Sequence, residues 1–273
     1  MYNAIIILQT ALPVLYLATT WRYGKEFYNN DFRSSQLKPH YLITTLGFHF
    51  LYLLLRTAEF RHVPVTSPAE LLSVLGFTLA GAYIFIEYIT KVKNTGFFVL
   101  VIASFLVSVA SVFSPHKYGV LDIFKSELLS FHIVSALLGY SAFVLSAIYG
   151  LLYMMLYKKL RTRTFDNIYR NLPSLEALES LVWKSVLVGF FAFSFVLIVG
   201  FIWLPQAFPN ITYTDPKVIV TLLIWLIYAI GIMLKKIIGF QGKRLALISI
   251  VGFVITFLSM ALTNAISGFH RFN

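Results

Sequence analysis

The sequence predicts an all-α, polytopic membrane protein of about eight transmembrane helices, because of its composition, its apolar runs and the distribution of its basic residues. Of 273 residues, 59% are hydrophobic and 12% are charged, and the mean hydropathy is +0.80. A soluble domain is far less apolar. The formal charge of +11 comes from basic residues in short clusters between apolar runs. This pattern orients membrane helices and does not indicate nucleic-acid binding.

Eight apolar runs are candidates to cross a hydrocarbon core of roughly 30 Å. Four of them, residues 3–20, 41–55, 70–88 and 96–113, lie in the first part of the chain. The other four are residues 127–157, 181–204, 217–234 and 244–268, and the fifth run is long enough to protrude. We therefore treat the chain as one membrane domain, with four spans in residues 1–126 and a core of four spans in residues 127–273.

The orientation of these spans follows from their flanking charges. One side of the predicted membrane holds sixteen Lys and Arg residues, Lys38 among them, and the other holds six. Basic loops are retained in the cytoplasm. We therefore expect a multi-pass protein of the inner (cytoplasmic) membrane, with both its N-terminus and its C-terminus outside.

The residues that are missing restrict the chemistry. The chain has no cysteine, which excludes disulfides, thiolate zinc sites and iron–sulfur clusters. It also has no Gly-rich phosphate loop, no HExxH zinc motif and no Gly-x-Ser-x-Gly elbow. The acidic residues of the apolar runs lie near their ends, unlike the buried charges of many transporters. A small-molecule transporter therefore ranks last among the alternatives.

Two histidines are predicted at the outer ends of different spans. His132 lies just inside the fifth run, and His270 follows the eighth. Between them is the outer loop 205–216, in which Pro216 can begin a helix and Asp215 can cap it. Two imidazoles facing one aqueous surface can hold an iron from both faces of a porphyrin. The alternative is that each is a hydrogen-bonded structural group.

His49 lies within the second predicted span and has the same two interpretations. It can ligate a buried haem, or one hydrogen bond to a neighbouring helix can satisfy it. For the remaining histidines we expect solvated structural roles. They are His40, His62 and His116.

At these residues the sequence resembles the cytochrome c assembly family of membrane haem-handling proteins, the CcsA and CcmC type, and most closely its HemX-like members. The segment 131–140, FHIVSALLGY, is similar to the family's His-Val … Gly-Tyr segment, and His132 stands at the position of an outer haem ligand. Gly252 and Phe253, followed by 268–270, GFH, resemble the closing segment, and His270 stands at the second ligand. The segment HVPVT, 62–66, with Glu70 after it, is similar to a segment ahead of the third span.

The family's tryptophan-rich outer loop is only partly present. Gly200, Trp203 and the run 215–217, DPK, align with it, whereas Phe208, Thr212 and Thr214 stand where the family has tryptophans. The resemblance implies that the loop contacts haem through four side chains, Trp203, Phe208, Tyr213 and Asp215. Met233 replaces a histidine that the CcsA type has in its seventh span. Methionine can also ligate haem iron, here with His49 as its partner, but in an apolar helix it more often serves packing.

The resemblance implies that the chain binds haem b at an extracytoplasmic site formed by His132 and His270. The haem would pass to apocytochrome c or to a second membrane assembly subunit. No catalytic residue is predicted, although a non-catalytic part in a cytochrome c haem lyase or synthetase system is compatible with the sequence. One alternative is a HemX-like regulatory or assembly subunit with weak or no haem binding. Another is an electron-transfer subunit holding a b-type haem at His49.

Overall fold

The structure is a computed structural model that describes residues 1–29, 32–114, 127–207 and 216–266. Within these ranges, the side chains of residues 32–37, 203–207, 216–217 and 260–266 are not described. His270, Phe208, Tyr213 and Asp215 therefore lie outside the described residues, and Trp203 is described by its backbone alone.

The described part of the chain is helical throughout its regular structure, as the sequence predicts. It forms nine helices, which in chain order are α1 Tyr2–Asn29, α2 Phe32–Phe60, α3 Pro68–Thr90, α4 Gly96–Phe113, α5 Glu127–Arg161, α6 Asn167–Asn171, α7 Leu175–Ala207, α8 Pro216–Ile238 and α9 Lys243–Ile266.

Seven described helices, α1 to α5, α7 and α8, are long and apolar enough to cross a membrane. The eighth predicted span coincides with α9, whose side chains are described only to residue 259. Several helices continue past the apolar runs, since α1 reaches Asn29 and α7 begins at Leu175. At 1.5 Å per residue, the 35 residues of α5 span about 52 Å, so this helix protrudes from the bilayer as expected.

The helices pack as two groups that meet along α3 and α5. In the first group, α1 contacts α2 and α4, and α3 contacts α4. In the second group, α5 lies at the centre and packs against α7 and α9, while α8 packs against α9 and α7. The central position of α5 explains why its middle is buried on nearly every side, from Ser141 to Gly150.

The short helix α6 packs against α1 of the first group and α5 of the second, at the predicted inner end of the bundle. The Nδ2 of Asn171 donates a hydrogen bond to the carbonyl of Phe27 at 2.5 Å, and Nδ2 of Asn94 donates to the carbonyl of Asn171 at 3.1 Å. Asp166 caps α6 by accepting from the backbone N–H of Tyr169. A hydrogen bond from Lys159 lowers the pKa of the Asp166 carboxyl below its ordinary value.

Candidate functional site

His132 lies near the N-terminal end of α5, which the sequence predicts to be the outer end, and is partly buried against α7. A Cβ atom placed on Gly200 of α7 would lie 3.1 Å from Cε1 of the His132 imidazole and 3.6 Å from Nδ1. Ordinary side chains rarely approach a neighbouring atom so closely, so a side chain at position 200 would have to displace the ring. Glycine therefore allows the imidazole to pack against the backbone of α7.

The same arrangement repeats along the α5–α7 interface. Seven residues after His132, Gly139 faces Phe193, where an added Cβ would lie 2.8 Å from Cδ2 of the ring. Four residues further, the roles exchange, and Gly189 of α7 faces Phe143 of α5. Steps of seven and four residues keep to one face of a helix. At each of these three levels, a glycine of one helix packs against a ring of the other. The same register of α5 and α7 places His132 opposite Gly200.

The remaining residues of the predicted outer site are only partly within the described chain. Trp203 lies three residues beyond Gly200, still within α7, and α8 begins at Pro216 as the sequence predicts. His270 lies four residues past Ile266, the last residue of α9 that the structure describes. The pairing of His132 with His270, and the contacts of the intervening loop, remain predictions.

His49 is fully buried within the first group of helices. Its Nδ1 is 2.9 Å from the hydroxyl of Tyr16 on α1, and its Nε2 is 3.0 Å from the hydroxyl of Ser73 on α3. Both ring nitrogens therefore take part in hydrogen bonds between helices. An iron atom at His49 would have to replace one of these bonds.

Met233 is not brought near His49. Its side chain is 58% exposed on the surface of α8, in the second group of helices. The ring of His49 instead contacts Tyr16, Tyr52 and Phe77 of the first group. The geometry of the described residues gives no support to an iron shared by these two side chains.

The segment that follows α2 has a structural role that the sequence analysis missed. Arg56 donates from Nε and Nη2 to Oε1 of Glu70, at 3.0 and 2.8 Å, and both side chains are almost fully buried. The other oxygen of Glu70 accepts from Thr66 and Ser67, and the Ser67 hydroxyl in turn caps α3. The spacing Ser-x-x-Glu before an apolar run is the capping-box pattern and would have revealed this arrangement.

His62 belongs to the same outer segment and is buried, in contrast to the solvated role that we expected. It is 8% exposed, and its Nδ1 lies 2.9 Å from the carbonyl oxygen of Val63. His40, by contrast, is exposed at the inner end of α2 as expected, and His116 lies outside the described residues.

A second buried charge cluster lies at the opposite, inner end of the first group. Lys38 of α2 is 1% exposed, and its Nζ is 2.8 Å from Oε2 of Glu26 and 3.7 Å from Oε1 of Glu87. Tyr83 donates its hydroxyl hydrogen to the other oxygen of Glu87. We expected Lys38 to be one of the basic loop residues. Its burial is not predictable from local sequence, because it depends on carboxylates supplied by two other helices.

Among the described residues, no group of three or more His, Asp and Glu side chains is arranged to hold a metal ion. The described polar sites are thus hydrogen-bonded or ion-paired clusters between helices, together with His132 at the outer end of α5.

The fold and these sites define a multi-pass helical membrane protein that has a partly buried histidine at one end of its helix bundle. The sequence matches the family described as cytochrome C assembly protein over residues 35–270, and the chain belongs to this family. The match confirms the resemblance inferred from residues 131–140 and 268–270, and it supports a role in cytochrome c biogenesis.

Individual relatives agree with this assignment. The chain is 30% identical over 215 residues to Protein HemX of Brevibacillus brevis, covering 75% of this chain and 77% of the relative. It is 26% identical to Protein HemX of Bacillus subtilis, covering 77% of each chain. It is 25% identical to the cytochrome c biogenesis protein CcsA of Mesostigma viride over 262 residues, covering 85% of this chain and 86% of the relative.

Proposed function

We propose that this protein binds haem b at the extracytoplasmic end of the bundle, with His132 and His270 as the two iron ligands. The haem is then delivered to apocytochrome c or to a second membrane assembly subunit, in the inner membrane of the cell. The observation that carries the proposal is the packing of His132 against Gly200, which holds an imidazole at the outer end of α5, beside the helix that precedes residues 208–215.

The course of α9 supports the pairing of the two histidines. The hydroxyls of Ser146 on α5 and Ser249 on α9 lie 2.8 Å apart. Gly150 of α5 lies against the backbone of Ala246, so the two helices run antiparallel. From this crossing, helix geometry gives a rise of about 21 Å to His132 along α5 and about 26 Å to Ile266 along α9. The described end of α9 therefore reaches the level of His132, four residues before His270.

The proposed ligands fit the chemistry of haem. Neutral imidazole is a common axial ligand of haem iron, and a thiol-free chain offers few alternatives. Trp203, Phe208 and Tyr213 would supply aromatic contacts to the porphyrin, and Asp215 would lie at the start of α8. The haem bound in this way would be the group that is transferred, and the chain's own residues would hold it and shield it.

A HemX-like regulatory or assembly role is the second candidate function. Phe208, Thr212 and Thr214 replace tryptophans expected from the family resemblance, and fewer large rings give less contact with a flat ligand. In this role the protein would bind haem only weakly or not at all. An electron-transfer subunit holding haem at His49 has less support, because both nitrogens of that ring are engaged by Tyr16 and Ser73.

Absorption spectroscopy of the purified protein, before and after haemin addition, tests the proposal. We expect a Soret band that weakens in His132→Gly and His270→Gly and that exogenous imidazole restores. His40→Gly, which alters an exposed histidine at the inner end, and Met233→Leu should leave the band unchanged. If both glycine variants show the same Soret band as the wild type, the two-histidine assignment is wrong. A wild type that stays colourless after haemin addition favours the regulatory role.

A further inference from the structure

A small cavity lies between the first four helices, and each helix contributes one polar residue to its wall. The cavity measures about 10 Å³, close to the space that one water molecule needs. Its polar lining consists of Gln9 from α1, Tyr52 from α2, Ser73 from α3 and Ser111 from α4. A wall with four polar groups from four different helices is unlike an apolar packing defect, because it can form hydrogen bonds.

Gln9 has a buried oxygen that the neighbouring side chains do not satisfy. Its Nε2 donates to the carbonyl of Ser111 at 2.9 Å, and this bond sets the orientation of the amide, because a carbonyl can only accept. Its Oε1 is buried and has no hydrogen-bond partner among the described protein atoms. A buried acceptor without a partner is destabilising, and native proteins commonly supply a water at such a position.

The other lining groups complement that oxygen. The Tyr52 hydroxyl accepts from Nη1 of Arg56 at 3.4 Å, so its own hydrogen can be donated to another acceptor. The Ser111 hydroxyl donates to the backbone carbonyl of Gln9 at 2.6 Å and can still accept. When Nδ1 of His49 accepts from Tyr16 and its Nε2 donates to Ser73, the Ser73 hydroxyl hydrogen can also be donated. One water can therefore accept from the hydroxyls of Tyr52 and Ser73 and donate to Oε1 of Gln9 and to the hydroxyl of Ser111.

We propose that this cavity is a binding site for a single internal water that joins two buried hydrogen-bonded clusters. One cluster contains Tyr16, His49 and Ser73, and the other contains Tyr52, Arg56 and Glu70. The water completes a chain of hydrogen bonds from the middle of the bundle to the capped start of α3. The site belongs to the first four helices and is independent of haem binding at His132.

Water-edited solid-state NMR of the full chain in lipid bilayers, with labelled glutamine, tests this site in the unmodified protein, and a variant is needed only to assign the signal. The chain has four glutamines, and the side-chain signal of Gln9 is identified by its loss in Gln9→Met. We expect magnetisation to pass from water protons to the Gln9 amide despite its 6% exposure. Exposed Gln241 serves as the positive control. Transfer to Gln241 with none to Gln9 would overturn the proposal.

A double-mutant cycle gives an independent test by SDS titration in bicelles. Gln9→Met and Tyr52→Phe each remove one partner of the water. Tyr52→Phe should therefore raise the unfolding equilibrium constant about fivefold less in the Gln9→Met variant than in the wild type. Thr20→Val is the matched control, since the Thr20 hydroxyl on the same helix bonds Ser104 and does not line the cavity. Additive effects of Gln9→Met and Tyr52→Phe would argue against a shared water.

Discussion

The imidazole of His132 rests against the backbone of Gly200, where even a single methyl group would lie 3.1 Å from its Cε1 atom. This contact joins the outer ends of α5 and α7, and it gives a glycine of α7 a direct effect on the orientation of the proposed iron ligand. The geometry of the outer site can thus be altered without removing either histidine.

Enlarging residue 200 should weaken haem binding through His132. In Gly200→Leu the new side chain displaces the imidazole, and we expect haem affinity to fall about tenfold or more, equivalent to about 1.4 kcal/mol. Haemin titration followed at the Soret band measures this. Gly81→Leu is the control, because an added Cβ there meets nothing within 4 Å. Unchanged affinity in Gly200→Leu would show that the ring does not need its observed position.

The glycine–ring layers should make the α5–α7 interface sensitive to a single methyl group. Gly189→Ala would push into the ring of Phe143, and overpacking of this kind costs about 1–3 kcal/mol. Thermal unfolding in detergent should show the loss, whereas Gly81→Ala should be neutral or slightly stabilising, since alanine favours helix. Equal melting temperatures for the two variants would mean that α7 simply shifts away.

Breaking the ion pair between Arg56 and Glu70 should be strongly destabilising. Glu70→Gln removes the carboxylate charge that Arg56 contacts through two of its nitrogens, and losses of this kind reach about 3–5 kcal/mol. The double variant Arg56→Met/Glu70→Gln should recover part of that loss, because it also removes the buried guanidinium. SDS titration of both variants checks the prediction, and a double variant less stable than Glu70→Gln would contradict it.

Lys38 should stabilise the inner end of the first helix group, because its positive charge offsets the negative charges of two buried carboxylates. Lys38→Met leaves Glu26 and Glu87 buried without their shared cation, so we expect a loss of about 3–5 kcal/mol. Adding Glu26→Gln should restore more stability than adding Glu176→Gln on α7, since Glu26 is the nearer carboxylate of Lys38. Equal rescue by both additions would show that Lys38 acts through packing alone.

Burial of His49 was only half predictable. Its place within a span follows from the apolar residues around it, and a hydrogen bond to another helix was one expected outcome. That both nitrogens are engaged depends on Tyr16 and Ser73, which lie 33 and 24 residues away in the chain. Partners so distant in sequence meet only through helix packing, so local pattern cannot identify them.

The charged residues illustrate a further limit. Counting basic residues by loop assigned Lys38 to a cytoplasmic loop, yet it is buried within α2 beside carboxylates from α1 and α3. Glu70, in contrast, carried a local signal in the spacing from Ser67, since a capping box forms within four residues. Local spacing predicts helix starts well, but it does not predict which charges are buried together.

The sequence by itself determined the membrane class, the span positions and the family, because apolar length, basic flanks and short motifs are properties of contiguous residues. Tertiary structure alone decided which residues face one another: Gly200 against His132, Lys38 between two glutamates, and four polar groups around one small cavity. Such pairs depend on the register and direction of helices that are far apart in the chain, and packing of whole helix faces sets that register.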